Sequence, residues 1–166
     1  MRIRKITLSA ILVSLGLILG VIEARIPIFT AIPGGKIGIS NIVSLVSLYT
    51  LSPTATFVIA ILKSLLVSFF SGAPTSFMYS GAGAFLSVLV MLFAKKTFSG
   101  RVTAVGVSIL GAVSFNLAQV LVATVVVNNI NVLRYLPVLC FISAFSGLIT
   151  GLATNGIWRS VKKCMI

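Results

Sequence analysis

Apolar residues come in runs of about 20, separated by short breaks that carry charge, Pro or Gly. The runs are Ile6–Ala24, Thr54–Ser71, Ser76–Ala94, Thr103–Val127 and Leu133–Gly156. An α-helix rises 1.5 Å per residue, so about 20 residues cross the roughly 30 Å hydrocarbon core of a bilayer. Each run therefore predicts a transmembrane helix. A sixth run, Ile39–Leu51, has 13 residues and rises only about 20 Å. It predicts a helix that lies against partners, tilts little or begins below the membrane surface, and Pro53 divides it from the next run. The pattern thus predicts an all-α integral membrane bundle of six transmembrane helices, one domain over residues 1–166, with no room for a soluble module. The alternative is five spans with Ile39–Leu51 on the surface, which would put the two basic termini on opposite sides.

Composition agrees. Hydrophobic residues make up 58% of the 166 and charged ones 8%, with a mean hydropathy of +1.21. A soluble domain is about 25% charged, so a soluble enzyme and a disordered tail are both excluded. The first run is too long for the apolar core of a signal peptide and lacks a small-residue cleavage site, so it is expected to stay. Cys140 lies inside the last run and Cys164 at the tail, a spacing that suits neither a disulfide nor a metal site.

Thirteen Lys/Arg face one acid, Glu23, and there is no histidine. The net charge of +12 would suit nucleic acid, but cations beside long apolar runs orient membrane spans instead. With six spans, Arg2, Arg4, Lys5, Lys95, Lys96, Arg101, Arg159, Lys162 and Lys163 fall on one side, and Arg25, Lys36 and Arg134 on the other. The positive-inside rule puts both termini in the cytoplasm of a multi-pass cell-membrane protein. One acid and no histidine leave little for acid–base or metal chemistry. No catalytic residue, metal site or cofactor is expected, and the chain is read as not an enzyme.

Depth along each run locates candidate binding residues, because polar groups in hydrocarbon face the bundle interior or a cavity. Glu23 ends the outward first helix and is expected at the outer surface. Ser40 and Asn41 start the inward second helix near that surface, and Tyr79 and Ser80 lie in the first turns of the fourth. Asn116 and Gln119 sit roughly 20–24 Å above the inner end of the fifth, three residues apart and so on one face. These heights converge on a pocket open to the outside. Plainer roles stand beside that reading: the two amides as interhelical hydrogen bonds, Glu23 as an interfacial partner of Arg25 or Lys36, Tyr79, Tyr135 and Trp158 as belt aromatics. Lys63 sits near the bilayer midplane, where a cation costs roughly 2.5–3.5 kcal/mol. It is either a counter-charge for an anionic ligand or Glu23, or a cation on helix carbonyls or a partner subunit.

The connection from Arg25 to Gly38 carries Pro33, Gly34 and Gly35, turn and hinge residues suited to a lid over the pocket. Gly35-Lys36 is not a nucleotide loop, since the upstream glycine and the following hydroxyl residue are missing. Gly16-x-x-x-Gly20-x-x-x-Ala24 and Ser143-x-x-x-Gly147-x-x-x-Gly151 allow close helix approach. Ala10-x-x-x-Ser14 adds a second small-residue pair, for internal packing or for docking a partner.

Several motifs resemble one family. Pro33-Gly-Gly-Lys-Ile-Gly-Ile-Ser-Asn-Ile42 resembles the Pro-Gly-x-Lys-x-Gly-x-x-Asn-Ile signature of the Gx transporter family, also labelled heptaprenyl diphosphate synthase component I. Gly72-Ala-Pro-Thr-Ser-Phe77, the stretch Gly106–Gln119 and Tyr135-Leu-Pro137 fit as well. That family is similar to the substrate-binding S-components of energy-coupling factor transporters. The resemblance implies six helices, an outer-half ligand site and a first loop that closes over it. It also implies partnership with a transmembrane T-component, docked here on Ala10 and Ser14, and with two cytoplasmic ATPase subunits. Phe115 departs from the pattern, which has a histidine before the asparagine. The synthase label conflicts with the composition: Mg²⁺ on a diphosphate wants several oxygen ligands, and one acid in the chain cannot supply them. The expected ligand has an apolar body and a polar or anionic head, an isoprenoid- or quinone-precursor-like molecule. The alternative is a non-catalytic membrane accessory subunit of a prenyl diphosphate synthase. An autonomous ion-coupled carrier is disfavoured, since midmembrane acids are absent.

Overall fold

Short polar breaks divide the apolar runs into α1 (Arg2–Arg25), α2 (Asn41–Thr50), α3 (Pro53–Phe70), α4 (Ser76–Thr97), α5 (Ala104–Val127) and α6 (Leu136–Met165), with a 3-10 segment, Ile130–Tyr135, leading into α6. The computed structural model describes residues 2–26, 38–97 and 103–165, with side chains for 3–26, 38–97 and 103–156. No strand occurs among the described residues. The helix ends follow local chemistry. Ser52 caps α3 by accepting the Ala55 N–H at 3.4 Å, with Pro53 at the first helical position, where its missing N–H costs nothing. Thr103 caps α5 through the Gly106 N–H at 3.4 Å. Asn128 ends α5 in the left-handed conformation (φ 51°) that asparagine tolerates. Leu133 and its neighbours form the 3-10 segment, so α6 begins three residues later than the hydropathy alone suggests.

Five helices are long and apolar enough to cross a bilayer, and α2 is not. This is a multi-pass membrane protein. In lipid there is no hydrophobic force between helices, so small residues and interhelical hydrogen bonds decide the packing. A Cβ on Gly16 would lie 2.6 Å from Lys63 Cδ, and one on Gly20 would lie 2.5 Å from Val67 Cγ2. These contacts make α1 and α3 parallel. Gly147 would strike Ile109 Cα at 2.7 Å and Gly151 would strike Val105 Cα at 2.6 Å, which makes α5 and α6 antiparallel and brings their backbones together. The Ser108–Thr150 hydroxyl pair, 2.7 Å apart, joins the same two helices. Both glycine motifs therefore serve internal packing, although Ala24 is exposed. Gly83 against Phe115 and Gly111 against Met91 set α4 antiparallel to α5. We call the end at which α1 and α3 begin the near end, and the opposite one the far end.

The short helix α2 packs against α1, α3, α4, α5 and α6, and seven of its ten residues are buried. Its first turn does not reach the far end. Val43 meets the same missing Gly16 side chain that Lys63 meets, and Gly16 stands nine residues, about 13 Å, below the end of α1. Ser40 and Asn41 thus start α2 below the end of α1, one of the placements that its shortness allows. A ten-residue helix rises only about 15 Å, and its other end is tied by Lys95 Nζ, which donates to the Leu48 carbonyl at 2.7 Å.

Candidate functional site

A helix that begins inside the bundle brings its unsatisfied N–H groups and positive dipole end with it. Here the chain's one acid meets them. Glu23 Oε1 accepts the N–H of Gly38 and Oε2 accepts that of Ser40 at 3.3 Å. Gly38 has φ +90°, a conformation that L side chains rarely adopt, and this turn aims the two N–H groups at α1. Glu23 is 5% exposed: it stands near the far end of α1, and its carboxylate turns to the start of α2. On the other side of the same turn, Lys63 Nζ donates to the Ser40 carbonyl at 2.8 Å and to Ser44 Oγ at 3.4 Å. Lys63 is 2% exposed, and its stem fills the groove left by Gly16. A carbonyl and a hydroxyl at the start of α2 are thus among the contacts of Lys63.

Above this junction lies a second polar layer. Ser64 Oγ donates to the Ser80 carbonyl at 3.4 Å, Ser68 Oγ and Ser80 Oγ are 3.3 Å apart, and Ser80 Oγ also donates to Ser76 within α4. The α4–α5 register that sets Gly83 against Phe115 brings Gln119, one turn further on, opposite Tyr79 and Ser80. Tyr79 is half-buried and packs against the cluster of Val120, Ala123, Val132 and Leu139, where α5, the 3-10 segment and α6 meet. Asn116 Nδ2 makes a long bond of 3.5 Å to the Leu139 carbonyl. Asn116 Oδ1, both amide atoms of Gln119 and Asn41 Nδ2 are buried without a hydrogen-bond partner among the described residues. Asn116 and Gln119 are each 2% exposed. Most buried polar atoms in proteins are paired, and each exception needs an explanation.

The candidate residues therefore separate. Glu23, Lys63 and Asn41 gather at the start of α2. Ser80, Tyr79, Asn116 and Gln119 form the layer between α3, α4, α5 and α6. Lys36 and the lid residues Pro33, Gly34 and Gly35 lie outside the described residues. Ala10 and Ser14 share an exposed stripe of α1, with Ser14 Oγ donating to the Ala10 carbonyl at 3.0 Å. Phe115 is buried against Gly83 and joins the apolar cluster of Ala84, Val88 and Met91.

Sequence reasoning missed Ser44, Ser64 and Ser68. Their signal was available: Ser64 and Ser68 repeat at four residues on the face that carries Lys63, and Ser44 follows Ser40 at the same interval. Serines pass unremarked in membrane helices because they bond their own carbonyls, as Ser68 does to Ser64.

Residues 12–157 match the family model described as heptaprenyl diphosphate synthase component I. The chain belongs to that family. No curated protein and no solved structure matches it. In this member of the heptaprenyl diphosphate synthase component I family, the matched region takes in both polar clusters, most of α1 and all of α2 to α5.

Proposed function

We propose that this protein is the membrane-embedded substrate-capture subunit of an energy-coupling factor type importer, with its ligand held in the far half of the bundle. The observation that carries the reading is the pair Asn116 and Gln119, with three amide atoms buried and unmatched. Such groups cost about 1–3 kcal/mol each when left unsatisfied, a cost that a ligand bearing complementary groups would remove. Glu23 and Lys63 already hold the start of α2. The ligand's polar head therefore meets amides and hydroxyls from Asn41, Tyr79, Ser80, Asn116 and Gln119, and an apolar body suits the rest of the bundle. Lys36 and the Pro33–Gly35 lid join the site on the sequence, as a cation and turn residues in the connection that leads into α2. In this reading the near end is cytoplasmic, as the cation bias suggests, and the termini lie there. Ala10 and Ser14 would face the T-component, and two ATPase subunits would supply the energy.

Reconstitution with a T-component and the two ATPases, followed by labelled uptake of a molecule that co-purifies with the chain, is the test. Uptake is expected only with all partners and ATP; uptake by this chain alone would sink the mechanism.

The family description favours a second reading, a non-catalytic membrane subunit of a prenyl diphosphate synthase. With Glu23 as its single acid, the chain cannot hold Mg²⁺ on a diphosphate by itself. Co-purification with a soluble, aspartate-rich subunit, together with restored synthase activity, would select this reading.

A further inference from the structure

A cleft of about 560 Å³ opens at the near end, between the α2–α3 turn and the last turns of α4. That lies within the roughly 300–1,000 Å³ typical of ligand sites. Its walls are Leu48, Leu51, Leu89, Leu92 and Phe93, and two cations, Lys95 and Lys96, stand at its edge. Leu89 and Phe93 are exposed, so the apolar wall faces the surroundings of the bundle and not its interior.

The two lysines differ. Lys95 Nζ is held 2.7 Å from the Leu48 carbonyl and 4.5 Å from the centre of the Tyr49 ring. An ammonium carries three N–H donors, so the bond to Leu48 fixes Lys95 in place and leaves donors for an acceptor above the cleft. Lys96 is exposed beside it. The only acid in the sequence is Glu23, near the far end of α1 and bonded to Gly38 and Ser40. The positive charge at the cleft therefore has no acidic side chain to balance it.

We infer that this cleft binds one anionic phospholipid, its acyl chain on the Leu89–Phe93 wall and its phosphate on Lys95 and Lys96. The pairing of an apolar channel open to lipid with two cations at one end, one of them held in place, matches the two parts of that molecule. A zwitterionic lipid fits the channel, but its own cation opposes the lysines. A free phosphate fits the lysines and gains nothing from the channel. The site is separate from the far-half ligand site and does not depend on its assignment.

The full chain, purified and equilibrated in detergent micelles holding equal amounts of phosphatidylglycerol and phosphatidylcholine, is read by native mass spectrometry. The wild type is expected to retain phosphatidylglycerol preferentially. Each cation near a membrane surface contributes about 1 kcal/mol, so Lys96→Ala should lower that retention about fivefold. Leu89→Trp fills the channel and leaves both lysines, so it should remove both lipids. Leu89 is exposed, which makes this change compatible with folding, and an unaltered helical circular dichroism spectrum would verify it. Equal retention of the two lipids by the wild type would overturn the proposal and would suit a protein partner on this face. Unchanged phosphatidylglycerol binding in both variants, or its displacement by millimolar glycerol 3-phosphate, would overturn it too.

Discussion

Two sets of buried polar side chains lie in this bundle, and the fold treats them oppositely. At the start of α2, Glu23 and Lys63 grip the same turn from opposite sides, through the N–H groups of Gly38 and Ser40 and the carbonyl of Ser40. In the layer above, Asn116 and Gln119 are as deeply buried, yet three of their four amide atoms meet no partner among the described residues. An ionised side chain in a low-dielectric interior cannot be left unmatched, whereas a neutral amide can at a cost of about 1–3 kcal/mol. The charged residues that depth alone marks as candidate ligand contacts are thus bonded into the architecture. The neutral residues, whose plainer role is interhelical hydrogen bonding, are the ones left open.

The largest effect is expected from breaking the first set. Removing either side chain leaves buried polar groups of the same turn without a partner, at about 1–3 kcal/mol for each group. Lys63→Met and Glu23→Ala should each lower the thermal unfolding midpoint in detergent sharply, with Glu23→Gln intermediate because an amide oxygen still accepts one N–H. A Lys63→Met protein that melts like wild type but no longer retains its ligand would move Lys63 into the second set and erase the contrast.

Replacing an amide in the second set should act in the opposite direction. Gln119→Leu removes two unmatched atoms at similar volume, so the unliganded protein should gain about 1–3 kcal/mol while ligand retention and uptake are lost. Asn116→Leu gives up the bond to Leu139 and should gain less. A lower midpoint for Gln119→Leu without ligand would show that the amide is paired in the folded protein. A matched reference comes from Ser108→Ala, which breaks the satisfied 2.7 Å pair with Thr150 and should cost about 0.6–1.7 kcal/mol. The signs at Gln119 and Ser108 have to differ if burial without a partner distinguishes the second set.

Much of this was legible in the sequence. Runs of about 20 apolar residues locate five long helices because every backbone group in lipid must bond within its own helix, which makes hydropathy and length sufficient. The i, i+3 spacing places Asn116 and Gln119 on one face, and glycines four apart mark the α1 and α6 seams. What could not be read was depth across helices. Ile39–Leu51 is visibly too short, but only its contacts, Val43 with Gly16 and the first turn with Glu23, reveal where along α1 it lies. Glu23 lies 15 residues from Gly38 and Lys63 lies 23 from Ser40. No helical or strand period links such positions, so their convergence exists only in the packed bundle.

The smallest effect on the fold, and the sharpest on function, is expected outside both sets. Ala10 and Ser14 are exposed on α1, and the hydroxyl of Ser14 bonds only within its own helix, to the Ala10 carbonyl. Replacing both by leucine adds bulk to a face that is exposed among the described residues. Surface changes of this kind stay within about 0.5 kcal/mol, so melting and ligand retention by the isolated subunit should be unchanged. Uptake by the complete reconstituted assembly should nevertheless fall by tenfold or more, because a partner helix that approaches over small residues cannot do so over leucine. Wild-type uptake by the double variant would place the docking face elsewhere. It would also leave the stripe of small residues on α1 as an ordinary lipid-facing surface, since nothing in the bundle requires those side chains to be small.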